Sequence, residues 1–356
     1  MRPAHAFKVE PAHPLSRQAV LIEPRKLELR DFTPPHPGPG ELLIQVRCAL
    51  SCGTDLKTYR RGHPVWKLPT PFGHEFSGVV EEVGAGVTRF RPGNEIMAAP
   101  TAPCETCFYC RRGQENLCAM TMEKMVMGAY ADRLLLPAHV VACNTFIKPP
   151  DLPFEEAALL EPLACVVYAQ EMARPEPHET VLVVGAGPFG ILHMLALKAA
   201  GVREVAIAGR GAARLRWAGE MGADCVIDAC HEDAAAAVAR LNSGFGPDLA
   251  IECTGHLAGW QDALARVRRG GRAAFFGGCP AGTALSVDTR RMHYDNLTLL
   301  APFHFRPRDV VRAFDLLKAR AMGAGAIVNA RMPLDRLSEV FKRLEHGTVL
   351  KCAVIP

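Results

Sequence analysis

Residues 181–201 read "VLVVGAGPFGILHMLALKAAG". A β-branched run ends in Gly185, Gly187 and Gly190 at G-x-G-x-x-G spacing, and an apolar helical pattern follows. Such a hexapeptide alone is weak evidence, because glycine-rich turns are common. Between a strand and a helix it gains a physical reading. Gly185 permits the tight turn, Gly187 lets backbone approach a pyrophosphate, and Gly190 lets the helix pack closely. Amide N–H groups at the helix start, at Phe189 and around Pro188, which has none of its own, receive the phosphates. The competing reading is a structural βα turn with no ligand. The stretch is long enough on paper to cross a bilayer. Its glycines, Pro188, His193 and Lys198 argue against a membrane span.

Working outward, the pattern repeats. "EVAIAG", "CVIDA", "LAIECTG" and "GRAAFFGG" read as strands separated by helical segments, including "AARLRWAGEMG" and "LAGWQDALARVRR". Alternating strands and helices imply right-handed crossovers and a parallel sheet covered on both faces. The expected fold class is α/β, with a doubly wound Rossmann sheet over 155–300. The strand ends add Gly209, Arg210, Arg214, Cys253, Thr254, Gly277 and Gly278 to the candidate cofactor residues.

Before Pro153 the texture differs. "AVLIEP", "KLELRDF", "ELLIQVRCAL", "EFSGVVEEVG", "NEIMAA" and "YADRLLLPAHVVACN" are β-rich runs punctuated by Pro and Gly, which suggests a mostly β domain. "FEEAALLEPLACVVYAQEMA" is helical in period. Beyond residue 300, "RDVVRAFDLLKAR" and "LDRLSEVFKRLEHG" read as amphipathic helices, and "LKCAVIP" as a last strand. Residues 1–17 read as a polar, proline-broken extension without the apolar core of a signal peptide.

The 356 residues suit two domains, and 49% hydrophobic with 22% charged residues marks a globular chain. A net charge of +4, with basic residues dispersed, gives little reason to expect nucleic acid. The thirteen cysteines are an odd number, mostly scattered, unlike a secreted disulfide scaffold. The expectation is a soluble cytoplasmic protein in a reducing compartment.

Four of those thiols crowd one loop, "CETCFYCRRGQENLC" at 104–118. Structural zinc, an iron–sulfur cluster and a nucleic-acid-binding zinc ribbon all begin with such spacing. A ferredoxin run closes with x3 and a proline, whereas this one closes with x7 and Ala119. A ribbon pairs two C-x2-C arms across a longer gap. Elsewhere stand "CGTD" at Cys52, "GHE" at His74–Glu75 and "EPLAC" at Glu161. Each alone is bland, since a lone buried Cys or His is more often core than ligand.

Together, in this order beside a nucleotide fold, these motifs resemble the zinc-dependent medium-chain dehydrogenase/reductase family. The resemblance is to its sorbitol, polyol and threonine dehydrogenase branch, and covers residues from about 18 to 356. It implies a GroES-like catalytic domain from 18–154 and 301–356, with Cys104, Cys107, Cys110 and Cys118 as a structural zinc lobe. It implies that Cys52, His74 and Glu161 hold a catalytic zinc. Glu75 would be an outer carboxylate or exchangeable ligand, and Asp55 would orient the imidazole. Zinc takes N, S and O donors, and a catalytic site keeps one position open. A hydroxyl held there gives up its proton near neutral pH, and hydride passes to a nicotinamide. Thr54 resembles the hydroxyl that relays this proton; the bland alternative is a turn threonine bonding its own backbone. Lys57 stands where many relatives carry histidine. It serves the relay, binds a substrate hydroxyl, or is simply solvated.

The expected activity is oxidation of a polyol, sugar alcohol or similar secondary alcohol, with two zinc per chain in a homo-oligomer (dimer or tetramer). Oxidation of a β-hydroxy amino acid such as threonine is the alternative within enzymes. A nucleotide-binding sensor with only structural zinc is the alternative outside them. Trp66, Phe303 and His304, with Lys57, are candidate pocket residues from family position. Gly209 falls where an NAD-specific site places its acid, and Arg210 and Arg214 follow. A glycine there removes the carboxylate and leaves space for a 2′-phosphate, and with an arginine to meet it, NADP is expected over NAD.

Overall fold

Six parallel strands carry the second half of the chain. The computed structural model describes residues 15–63 and 65–356. Across the sheet the strands run Cys225–Asp228, Glu204–Gly209, Thr180–Val184, Leu249–Glu252, Arg272–Phe275 and Thr298–Leu300. Every neighbouring pair is parallel. Val181, Leu182 and Val183 are fully buried, which is why this strand reads as continuous apolar sequence rather than alternation. The chain leaves Thr180–Val184 toward one edge and returns at Leu249–Glu252 toward the other. Between these two strands lies the switch point, where doubly wound sheets hold ligands at the strands' carboxyl ends.

The β-rich half forms a seven-stranded sheet. Along it run Val328–Pro333, Lys351–Ile355, Leu42–Leu50, Phe76–Val83, Glu95–Ala98 and Thr145–Ile147, with Arg133–Leu136 also pairing to Leu42–Leu50. The last stretch of chain therefore returns to this sheet. Helix Pro307–Lys318 packs on helix Leu160–Ala173 on the way back. A smaller sheet of Lys26–Phe32, Ser16–Glu23 and Thr70–Pro71 completes the half. Tyr130, Phe72 and Phe341 pack together in its core.

Three local features depart from the sequence reading. The first strand begins at Ser16, and the Arg17 guanidinium pairs with Asp132 at 2.8 Å. Residues 1–14 of the expected extension lie outside the described residues. "PAHVVACN" is no strand: Pro137 caps helix Ala138–Cys143, since proline donates nothing to a ladder but suits a helix start. A helix also follows Cys52 directly, over Gly53–Arg61, and the Cys52 Sγ accepts from the Thr54 N–H at 3.4 Å.

Candidate active site

The candidate cofactor glycines form the turn at the switch point. Gly185 adopts φ +115°, in the region that favours glycine. A Cβ there would meet Thr254 Cγ2 at 2.9 Å, so the glycine loop and Cys253–Thr254 face each other across the switch point. A Cβ on Gly190 would lie 1.8 Å from the Gly185 carbonyl oxygen, which is the close helix approach read from the spacing. Gly187 has open space around it and caps helix Pro188–Ala199. Phe189 packs against Phe276 at 5.0 Å between ring centres. Next to Cys253–Thr254, Gly277 approaches so closely that a Cβ would fall 2.3 Å from the Gly255 nitrogen. Gly278 follows in the same turn.

Glu252 sets that turn. Its buried carboxylate accepts from the Thr254 N–H at 2.6 Å, from the Thr254 hydroxyl, and from the Gly255 N–H.

Gly209 needs a corrected reading. A Cβ there would stand 2.6 Å from Ala186 Cβ and 2.9 Å from its nitrogen. The missing side chain is spent on packing against the glycine loop, so it does not open space for a phosphate. Arg210 is exposed, with no hydrogen bond or ion pair to any described residue. Arg214 is half-buried with its Nε unpartnered, beside Gly347. Burial without a partner lowers its pKa.

The metal candidates fall into three groups. The four thiols of 104–118 lie within 4.8 Å of one another. All are free cysteines, with Cys107 and Cys110 sulfurs 3.5 Å apart. The Cys104 thiol is pulled down to about 6 because the Thr106 backbone N–H and hydroxyl and the Cys107 N–H point at its sulfur. Burial pushes Cys110 up to about 12. Four convergent sulfurs, some already receiving N–H donors, fit a closed tetrathiolate site.

Cys52, His74 and Glu75 form the second group, all buried and with donor atoms within 4.8 Å. Asp55 Oδ1 lies 2.9 Å from His74 Nδ1, off the line of a good hydrogen bond. Tyr130 Oη is 2.7 Å from Asp55 Oδ2 and holds that carboxylate. Burial lowers the His74 pKa, but the Asp55 and Cys52 charges more than offset it and raise the net value. Glu75 Oε2 receives the Lys351 ammonium, while Oε1 is buried with no partner among the described residues. Such an orphaned buried oxygen beside a thiol and an imidazole fits a divalent cation.

Glu161 stands beside this group. Its donor atom also lies within 4.8 Å of those of Cys165 and His304. Burial, with Glu75 adding to it, raises the Glu161 pKa to about 7. The Glu161 and Cys52 groups adjoin, since Glu161 feels the His74 and Glu75 charges.

The remaining candidates line the approach. Thr54 and Lys57 are exposed on helix Gly53–Arg61. Lys57 Nζ lies 3.0 Å from where a Gly255 Cβ would stand, so it reaches from the β-rich half to the nucleotide loops. Trp66 stacks on His63 at 3.8 Å, and Phe303 is 52% exposed. Sequence reading missed Cys165, Lys351, Tyr130 and Glu252. Two had a signal: Cys165 stands four residues after Glu161 on a helix, hence on the same face, and Lys351 is a lone charge in an apolar strand.

Two family models match the chain. One is the alcohol dehydrogenase GroES-like domain over residues 38–145, and the other is the zinc-binding dehydrogenase over 188–319. Human sorbitol dehydrogenase is 30% identical over 346 residues, covering 96% of both chains. The chain belongs to the zinc-dependent medium-chain dehydrogenase/reductase family. L-threonine 3-dehydrogenase from Sinorhizobium fredii is 29% identical, covering 88% of this chain and 90% of its own. A zinc-binding dehydrogenase from Sinorhizobium meliloti 1021, solved bound to NADP, superposes with a TM-score of 0.89 at 28% identity. That match covers 97% of this chain and all of the other. The family is one of oxidoreductases whose members combine a GroES-like and a Rossmann-type domain. No helix among the described residues is long and apolar enough to cross a membrane.

Proposed function

We propose that this dehydrogenase interconverts a secondary alcohol, of the polyol or sugar-alcohol class, with its ketone, using NADP(H). The observation that carries the reading is Lys57, an ammonium from the β-rich half held against Gly255 beside the switch point. Next to it on the same helix start are Cys52 and Thr54. One cleft thus gathers the nucleotide loops, the buried donor cluster and polar groups suited to several hydroxyls. In this reading residues 18–154 with 301–356 bind metal and substrate, and 155–300 binds the nucleotide.

Zinc held by Cys52, His74 and a carboxylate supplies a Lewis acid that lowers the pKa of a bound hydroxyl. Asp55, fixed by Tyr130, holds the His74 ring in the orientation a ligand needs. The Thr54 hydroxyl, exposed at the helix start, carries a proton outward, and Lys57 meets a substrate or ribose hydroxyl. The turn that buried Glu252 holds through Thr254, with Gly277 packed against Gly255, keeps the nicotinamide side rigid. The names of the sorbitol dehydrogenase relatives favour a polyol. NADP is favoured by the unpartnered Arg210 and Arg214 and by the cofactor of the Sinorhizobium meliloti structure.

The test is an oxidation screen over polyols, sugars, threonine and simple alcohols with both nicotinamides. Cys52→Ala serves as control. Polyol oxidation that vanishes in the folded Cys52→Ala protein supports the reading. Turnover of threonine alone, or full activity in Cys52→Ala, overturns it.

A further inference from the structure

His304 is a polar group beside the buried donor cluster that no step of the proposed reaction uses. It comes from the loop after the sixth parallel strand, half-buried, with Phe303 exposed next to it. One of its ring nitrogens lies within 4.8 Å of donor atoms of Glu161 and Cys165. It also feels the His74 charge, as Glu161 does. The ring thus borders the Cys52–His74–Glu75 group and faces the same cleft.

The ring is held before any ligand arrives. The buried Thr101 hydroxyl meets His304 Nε2 at 2.9 Å. Phe305 stacks on the imidazole at 3.9 Å between ring centres. The Asn116 amide donates to the Phe303 carbonyl at 3.0 Å, which ties this loop to the four-thiol lobe. His304 adopts φ +61°, a backbone of the kind that persists only when its surroundings hold it. No hydrogen bond from the described residues reaches Nδ1. A neutral imidazole with Nε2 engaged keeps one further donor or acceptor. A hydroxyl group offers both, so it satisfies the ring in either tautomer.

We propose that His304 selects the substrate. Its free ring nitrogen bonds a second hydroxyl, on the carbon beside the one oxidised, so vicinal diols are preferred. The proposal rests on the secondary-alcohol reading of this cleft. The short span from Glu161 to the ring favours an oxygen on the adjacent carbon over one farther along a chain. Phe303 and Phe305 flank the imidazole with apolar surface. A mono-alcohol leaves the ring nitrogen unpaired there, and a site built to bond a hydroxyl rejects the analogue that lacks it.

The experiment compares vicinal butanediol with sec-butanol, which lacks the second hydroxyl. Steady-state oxidation gives kcat/KM for each, and calorimetry on the NADPH-loaded holoprotein gives each Kd. Glycine adopts a positive φ without strain, so His304→Gly removes the ring and leaves the loop its backbone. The wild type is expected to prefer the diol by roughly three- to tenfold in both measures, and His304→Gly to bring that ratio to about one. His304→Asn, an amide that tolerates the same backbone, should keep part of the preference. Thr101→Val should lower the ratio and Thr101→Ser should keep it, a pattern that a merely structural His304 would not produce. An unchanged ratio in His304→Gly overturns the proposal, even where both alcohols lose turnover together. A wild type that oxidises sec-butanol as well as the diol also overturns it, while upholding the secondary-alcohol reading. Diol binding that needs His304, with no alcohol oxidised, upholds the proposal and sinks that reading.

Discussion

The Lys351 ammonium, on the last strand of the chain, bonds the Glu75 carboxylate beside Cys52 and His74, and also donates to the Ser51 carbonyl at 2.9 Å. Both charges are buried, Lys351 at 2% exposure and Glu75 at 0%. Burial raises the Glu75 pKa, and the ammonium works against that rise. Removing one partner of a buried pair strands the other. Lys351→Met is therefore expected to cost about 3–5 kcal/mol in urea unfolding and to reduce metal retention. Lys351→Arg should recover part of both. An unchanged unfolding midpoint in Lys351→Met would refute the pairing.

The four-thiol lobe is expected to act on stability. A structural metal contributes its binding free energy to folding, so Cys107→Ala should lower the melting temperature as chelation of the wild type does. Chelator should then have no further effect on the variant's melting. Lost turnover with unchanged melting temperature would argue for a reactive thiol instead.

Arg210 is the residue to change for nucleotide choice, because a side chain at Gly209 collides with Ala186. A charge-assisted hydrogen bond contributes about 1.5–3 kcal/mol. Arg210→Ala should lower kcat/KM for NADP by roughly ten- to a hundredfold and leave NAD within about twofold. Equal losses with both nucleotides would place Arg210 outside the phosphate site.

Acid should loosen the loop that carries His304. Arg306 bonds Asp309 and, with Arg308 and Arg312, converges on Glu171 at 2.8, 3.0 and 2.5 Å. Burial raises the Glu171 pKa, but the three guanidinium groups outweigh it and hold it below the usual carboxylate range. A folded pKa below the unfolded value of about 4.3 gives stability that is present above that pH and lost as pH falls. Glu171→Gln should thus destabilise by about 1 kcal/mol at pH 7 and by little at pH 3, read from urea midpoints. The same deficit at both pH values would show a packing effect only.

The nucleotide half was legible because its signals are local. A fully buried strand, a glycine turn and an apolar helix need only neighbouring residues to be recognised, and Gly185, Gly187 and Gly190 stand where their spacing implied. The four-thiol loop was local in the same sense, with every candidate ligand between 104 and 118. Cys52, His74 and Asp55 came from resemblance, and the fold brings them together from a helix start and a strand end.

Tertiary structure alone decided the rest, because charges and close approaches are settled by chain segments far apart in sequence. Glu75 and Lys351 are separated by most of the chain, and their pairing follows from the last strand lying beside Leu42–Leu50. Gly209 looked like space for a phosphate until Ala186 filled it. Glu161 reaches the Cys52 group only because its helix packs there, bringing Cys165 one turn on and meeting His304 from a returning loop. Sequence spacing specifies which donors share a turn; only packing specifies which turns meet.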